Sequence, residues 1–132
     1  MTRYVIDAGV AIRIASGEIT VAPQHELLAP TLLRSQVLSA LHEAVARGDM
    51  SEAAALDCLK RLHRLSIRLL GDGVLRRTAW DIANELASGS TYEGEYLALT
   101  RLQADAFVTG DDDLAKRASA LVPIADVTSL TQ

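Results

Sequence analysis

Phe107-Val108-Thr109-Gly110-Asp111-Asp112-Asp113-Leu114 is a short apolar, β-branched run that breaks at a glycine into three adjacent acids. The N-terminal stretch Tyr4-Val5-Ile6-Asp7-Ala8 follows the same pattern, with a strand-like run closed by an acid. Runs this short and this apolar suit parallel strands covered on both faces. In an open α/β sheet the carboxyl ends of the strands form the edge where ligands bind, so acids ending two strands can be brought to one place. Carboxylate oxygens are hard ligands that suit a hard divalent cation, and the first expectation is metal-dependent chemistry on a phosphate.

The chain between these two stretches alternates in the same way. Residues 4–7 read as a strand and residues 8–17 as a short helix that stops near Gly17. A second strand, 26–29, ends at Pro30, and Pro30-Thr31 opens a helix that keeps Leu33, Val37, Leu41, Ala44 and Val45 at helical spacing up to Arg47-Gly48. Asp49 and Glu52 are expected to cap the next helix, which carries Leu56, Leu59 and Leu62 on one stripe. A third strand, 67–70, ends at Gly71-Asp72-Gly73, and a helix with Leu75, Ala79, Ile82 and Leu86 runs to Ser88-Gly89-Ser90. A helix from Thr91 to about Gln103, a strand over 106–109, a short helix over 114–119 and a fifth strand over 121–125 complete the series. Alternation of this kind predicts an α/β fold, a three-layer α/β/α sandwich around a central, mostly parallel five-stranded sheet.

Composition sets the outer limits. At 132 residues with 49% hydrophobic and 23% charged residues, the chain reads as a single globular domain spanning 1–132. Charges interrupt every apolar stretch before the roughly 18 residues of a membrane span, and the N-terminus enters a strand without the apolar core of a secretory signal. The lone Cys58 has no disulfide partner, which fits a reducing cytoplasm and excludes a cysteine zinc site. His25, His42 and His63 form no zinc spacing, and neither a G-x-S-x-G nor a phosphate-loop motif is present. Trp80 is expected to anchor the core or a subunit contact.

Net charge is −4, so nothing attracts nucleic acid globally. The distribution is uneven: Lys60, Arg61, Arg64, Arg68, Arg76 and Arg77 face only Asp72 in their stretch. Arg61, Arg64 and Arg68 are therefore candidate contacts to an RNA backbone, or simply a solvated helix face.

The order of four stretches makes the chain resemble a PIN domain, in particular the small VapC-type toxins of bacterial toxin-antitoxin pairs. They are Tyr-Val-Ile-Asp-Ala at 4–8, Leu-Leu-Ala-Pro-Thr-Leu-Leu-Arg-Ser at 27–35, Thr-Tyr-Glu-Gly-Glu-Tyr-Leu-Ala-Leu at 91–99 and Phe-Val-Thr-Gly-Asp-Asp-Asp-Leu at 107–114. The resemblance implies an endoribonuclease that uses Mg²⁺ or Mn²⁺, pairs as a homodimer, and is held inactive by a small antitoxin whose tail enters the acidic groove. It implies Asp7, Glu93 and Asp111 as catalytic acids and metal ligands, Asp113 as an additional ligand, and Thr109 as a support that bonds a metal-bound water.

Two positions depart from that pattern. Gln36 follows Arg34-Ser35 where the family usually has Glu, and Glu93 follows Tyr92 where it usually has Asp. Gly9 also replaces a Ser or Asn beside the first acid. A carboxamide removes one negative charge and cannot accept a proton as a general base, so Gln36 predicts weaker metal affinity and one metal in place of two.

Other readings stay open for each residue. Asp7 can cap a helix, Ser90 and Glu93 have capping-box spacing, Glu95 is a surface acid or a stand-in for Glu93, and the acids from Asp111 to Asp113 suit a helix N-terminus. At the level of function, a catalytically impaired PIN-like binding module is the alternative. A phospho-acceptor receiver domain shares the length and alternation but would need an acidic pair near the first strand, where this chain has Asp7 alone.

Overall fold

The computed structural model describes residues 1–132 throughout. In chain order the elements are β1 (Arg3–Ile6), α1 (Ala8–Ala15), β2 (Glu26–Pro30), α2 (Leu32–Ala46), α3 (Glu52–Arg64), β3 (Ile67–Leu70), α4 (Gly73–Glu85), α5 (Tyr92–Gln103), β4 (Ala106–Val108), α6 (Asp112–Ala118) and β5 (Ile124–Ala125). The five strands form one sheet in the order β3-β2-β1-β4-β5, and every pairing is parallel. This is the expected α/β sandwich.

The order fixes where the helices lie. Parallel crossovers are right-handed, so stepping from β1 to β2 to β3 puts α1, α2 and α3 on one face. The chain then returns across the sheet to β4, which puts α4, α5 and α6 on the other. The direction of progression reverses between β1 and β4, and a crevice opens there at the carboxyl edge. Asp7 is the first residue beyond β1 and Thr109 the first beyond β4.

Val5, Ile6, Phe107 and Val108 in these two strands are fully buried, as strands covered on both faces require. α5 is the most enclosed helix, burying Tyr96, Leu97, Ala98, Leu99 and Thr100 in succession. Its partner α4 approaches so closely that a Cβ built on Gly94 would lie 2.6 Å from the Ala79 carbonyl oxygen. Gly94 is therefore a packing residue whose missing side chain sets the α4–α5 distance.

Local chemistry explains most helix starts. Asp7, Asp72 and Asp111 each sit at an extended N-cap, and their carboxylates accept from the backbone N–H of Val10, Leu75 and Leu114. The cap of α3 differs from expectation. Ser51 accepts from Ala54 N at 3.1 Å, while Asp49 turns back to Arg47 at 2.9 Å, because the serine hydroxyl is two residues nearer the first free N–H groups. The fifth strand covers only residues 124–125 of the expected 121–125, since Val122 belongs to the turn after α6 and its N–H bonds Ala118 O. A 3₁₀ turn, Val127–Thr131, follows unanticipated and buries Leu130. Trp80 is 61% exposed and is no core anchor; the buried stripe of α4 is Leu75, Ala79, Ile82 and Ala83, and residue 80 projects about 100° away from Ala79. No helix is long and apolar enough to cross a membrane.

Candidate functional site

Asp7 and Thr109 meet across the β1–β4 switch point. The Thr109 hydroxyl donates to Asp7 Oδ2 at 2.5 Å and accepts from the Asp111 backbone N–H at 3.0 Å. Asp7 Oδ1 accepts from Val10 N at 3.0 Å, and Asp111 Oδ1 accepts from Leu114 N at 3.1 Å. One threonine thus ties the Asp7 carboxylate to the backbone of Asp111, and each acid caps its own helix at the carboxyl edge, with Asp7 but not Asp111 lining the cleft described below. Burial raises the Asp7 carboxyl above the ordinary carboxylate range, and the Asp111 charge pushes it the same way, against the lowering effect of the Thr109 and Val10 hydrogen bonds. Asp7 is a partly desolvated acid with no cation beside it.

An open cleft of about 410 Å³ lies over Asp7, and Gln36, Ser39, Glu43, Glu93 and Tyr96 line its walls. Gln36 accepts the Tyr96 hydroxyl at 2.6 Å, joining α2 to α5 over the carboxyl edge. Burial and the nearby charges of Asp7 and Glu95 raise the Tyr96 phenol well above its usual range, so it stays a donor. Burial also raises the carboxyl of Glu95, which does not line the cleft.

Glu93 faces the cleft but is already paired. Arg117 Nη1 and Nη2 donate to its two carboxylate oxygens at 3.2 and 3.0 Å, and Arg117 Nε donates to Asp113 Oδ2 at 2.9 Å. These contacts replace the capping-box alternative: Ser90 Oγ does accept from Tyr92 N at 3.2 Å, but Glu93 reaches across to α6 and not back to its own helix start. Asp113, with its side chain 79% exposed, lies on the outer side of Arg117 and does not line the cleft. No three His, Cys, Asp or Glu side chains come close enough together to enclose a metal ion.

Arg61, Arg64 and Arg68 lie away from this cleft. Arg61 pairs with Asp57 at 3.0 Å along α3, and Arg68 pairs with Glu26 at 3.4 Å, at the first residue of β2. α3 ends at Arg64 and feeds the start of β3, so this basic group belongs to the opposite edge of the sheet. Besides Arg117, a second cation near the acidic stretch is Arg13 of α1, which pairs with Glu18 and passes Gly110; a Cβ there would lie 3.7 Å from Arg13 Nη1. Arg13 and Glu43 were not singled out from sequence. Glu43 carried a usable signal, because residues 36, 39 and 43 share one face of α2 and the Ser39 hydroxyl donates to Glu43 Oε2 at 3.4 Å.

No protein-family model and no curated protein matches this chain. Among solved structures it is similar to the crystal structure of PAE2754 from Pyrobaculum aerophilum, with a TM-score of 0.71 over 98% of this chain and 93% of that one. Sequence identity is 21%, so the likeness is one of fold.

Proposed function

We propose that this chain is a PIN-like, VapC-type endoribonuclease that hydrolyses RNA phosphodiesters with a single Mg²⁺ or Mn²⁺. The observation that carries the reading is the Asp7–Thr109–Asp111 linkage, which holds a desolvated carboxylate under an open cleft at the sheet's switch point. The donor set suits one largely hydrated dication. Mg²⁺ commonly takes only one or two protein carboxylates and keeps several waters, and the raised Asp7 carboxyl marks negative charge that a cation would offset.

In this reading Asp7 binds the ion through the lone pairs that its bonds from Val10 N and Thr109 leave open, and Thr109 holds the carboxylate in one orientation. When bound, the ion supplies polarisation of the phosphoryl group and a more acidic water. Glu43 and Glu93 are the carboxylates in the cleft able to accept a proton. The wider reading places the protein in the cytoplasm, as a homodimer controlled by a small antitoxin. Cleavage of a structured RNA in Mn²⁺, compared with EDTA and with Asp7→Asn, tests the core of the proposal. Cleavage that ignores both would sink it.

A specific contact favours the second reading, a binding module with impaired turnover: Glu93 is neutralised by Arg117 within the chain. Arg117→Gln separates the two. Removing the guanidinium frees Glu93 and is expected to tighten Mn²⁺ binding by about 3- to 10-fold in calorimetry, the scale of one partly exposed charge pair. Weaker binding would mean instead that Arg117 holds Glu93 in place for the ion.

A further inference from the structure

The Gln36 amide has a fixed direction. Its carbonyl oxygen accepts from the Tyr96 hydroxyl at 2.6 Å, and Tyr96 is only 4% exposed, held in α5 against Phe107 with ring centroids 6.0 Å apart. A carboxamide carries its acceptor on one side and two donor hydrogens on the other. Committing Oε1 to Tyr96 therefore turns Nε2 away from that bond. Gln36 is half-buried and lines the cleft, its one side-chain bond is through Oε1, and Nε2 is not shut away from solvent, so the amide donors stay available at the cleft wall.

The remaining polar lining is dominated by acceptors. Asp7, Glu43 and Glu93 supply carboxylates, and the Ser39 hydroxyl is turned towards Glu43. A neutral donor in such surroundings neither repels a cation nor competes with the acids for one. A group rich in acceptor oxygens is what it can bind. A glutamate at the same place would bind the cation and repel that group.

Resting on the phosphodiester reading above, we propose that Gln36 is a substrate-binding residue and not a metal ligand, its Nε2 donating to a non-bridging phosphoryl oxygen of the RNA while Tyr96 positions the amide. The departure from an acid at this position then changes the task of the side chain. The site holds one ion through Asp7 and grips the phosphate from the α2 wall with an uncharged donor.

Two independent measurements test this. Mn²⁺ affinity is read by calorimetry, and binding of a short fluorescein-labelled single-stranded RNA by anisotropy, in Ca²⁺ and again in EDTA. Gln36→Leu keeps the size and removes the donors. It is expected to leave Mn²⁺ affinity within about twofold while weakening RNA binding about tenfold, as for one hydrogen bond to a charged group, by a similar ratio in both buffers. Tyr96→Phe should leave Mn²⁺ binding unchanged and weaken RNA binding about threefold, because the amide is then free to turn. In cleavage assays Gln36→Leu should raise KM more than it lowers kcat. A tenfold loss of Mn²⁺ affinity in Gln36→Leu, or unchanged RNA binding, would overturn the assignment. The wider reading fails separately, by Asp7→Asn retaining full Mn²⁺ affinity, and the RNA arm in EDTA still decides the role of Gln36.

Discussion

Asp7→Asn is expected to abolish Mn²⁺-dependent RNA cleavage, by at least about 100-fold, and at the same time to raise the melting temperature at pH 7. The loss follows from removing the negative charge that faces the cleft. The gain follows from linkage. The folded-state carboxyl is raised above its reference value of 3.8, chiefly by burial and to a lesser degree by the Asp111 charge. A raised acid takes up its proton more readily in the folded chain, so its favourable contribution is present at low pH and is lost as pH rises through the folded value. At pH 7 the ionised, desolvated Asp7 therefore weakens the fold. Asparagine escapes that cost and retains an oxygen for Val10 N, while its amide nitrogen replaces Oδ2, so the Thr109 hydroxyl must turn to accept where it had donated. The stabilisation should shrink as pH falls through the raised folded value of Asp7 and be gone near the reference value of 3.8, below which Asp7 is protonated in both states. Thermal melts of both proteins from pH 4 to 8 would show it, and a variant less stable than the parent across this range would contradict the assignment of Asp7 as an uncompensated charge. Adding Mn²⁺ should stabilise the parent alone.

Gly94→Ala carries the largest expected structural effect. In an unconstrained helix the exchange would stabilise by up to about 1 kcal/mol, because alanine is the better helix former. Here the new methyl would meet the Ala79 carbonyl oxygen at 2.6 Å, with the Ala83 nitrogen at 3.5 Å behind it, and both belong to the backbone of α4. Backbone cannot rotate aside as a side-chain tip can, so α4 and α5 must separate. A loss of roughly 2–3 kcal/mol, or about 8–12 °C in melting temperature, is the expected scale. Urea titration measures it directly, and a stabilised variant would refute the close approach. Glu93 and Tyr96 flank Gly94 on the same helix, so the displacement should also lower RNA binding.

The sheet and the order of its helices were legible because each signal was local. Val5-Ile6-Asp7 and Val108-Thr109-Gly110-Asp111 announce a strand, its end and the next helix cap within a few residues, and the structure uses Asp7, Asp72 and Asp111 as caps. The α3 cap was read wrongly: Asp49 was expected there, and Ser51 supplies it. The side-chain partnerships of the cleft were not legible. Arg117 meets Glu93 from 24 residues away and Tyr96 meets Gln36 from 60, and no periodicity connects such pairs. Charge along a chain likewise carries no information about which edge of a sheet it will occupy: Arg61 and Arg64 precede the start of β3, whereas Arg76 and Arg77 follow its carboxyl end in α4. Glu43 lay within reach, two turns from Gln36 on one helix face.

The hydrogen bond between Thr109 and Asp7 spans 102 residues, and β1 is the central strand of the sheet, with β4 added on one flank only after β2 and β3 on the other. On a ribosome the consequence is temporal. A nascent chain can pair β1 with β2 early, but its Asp7 carboxylate stays unbuttressed until the segment around Thr109 has emerged and docked. The cleft is thus among the last features to assemble, and a chain interrupted before β4 carries all the residues of the α2 wall without a working floor beneath them.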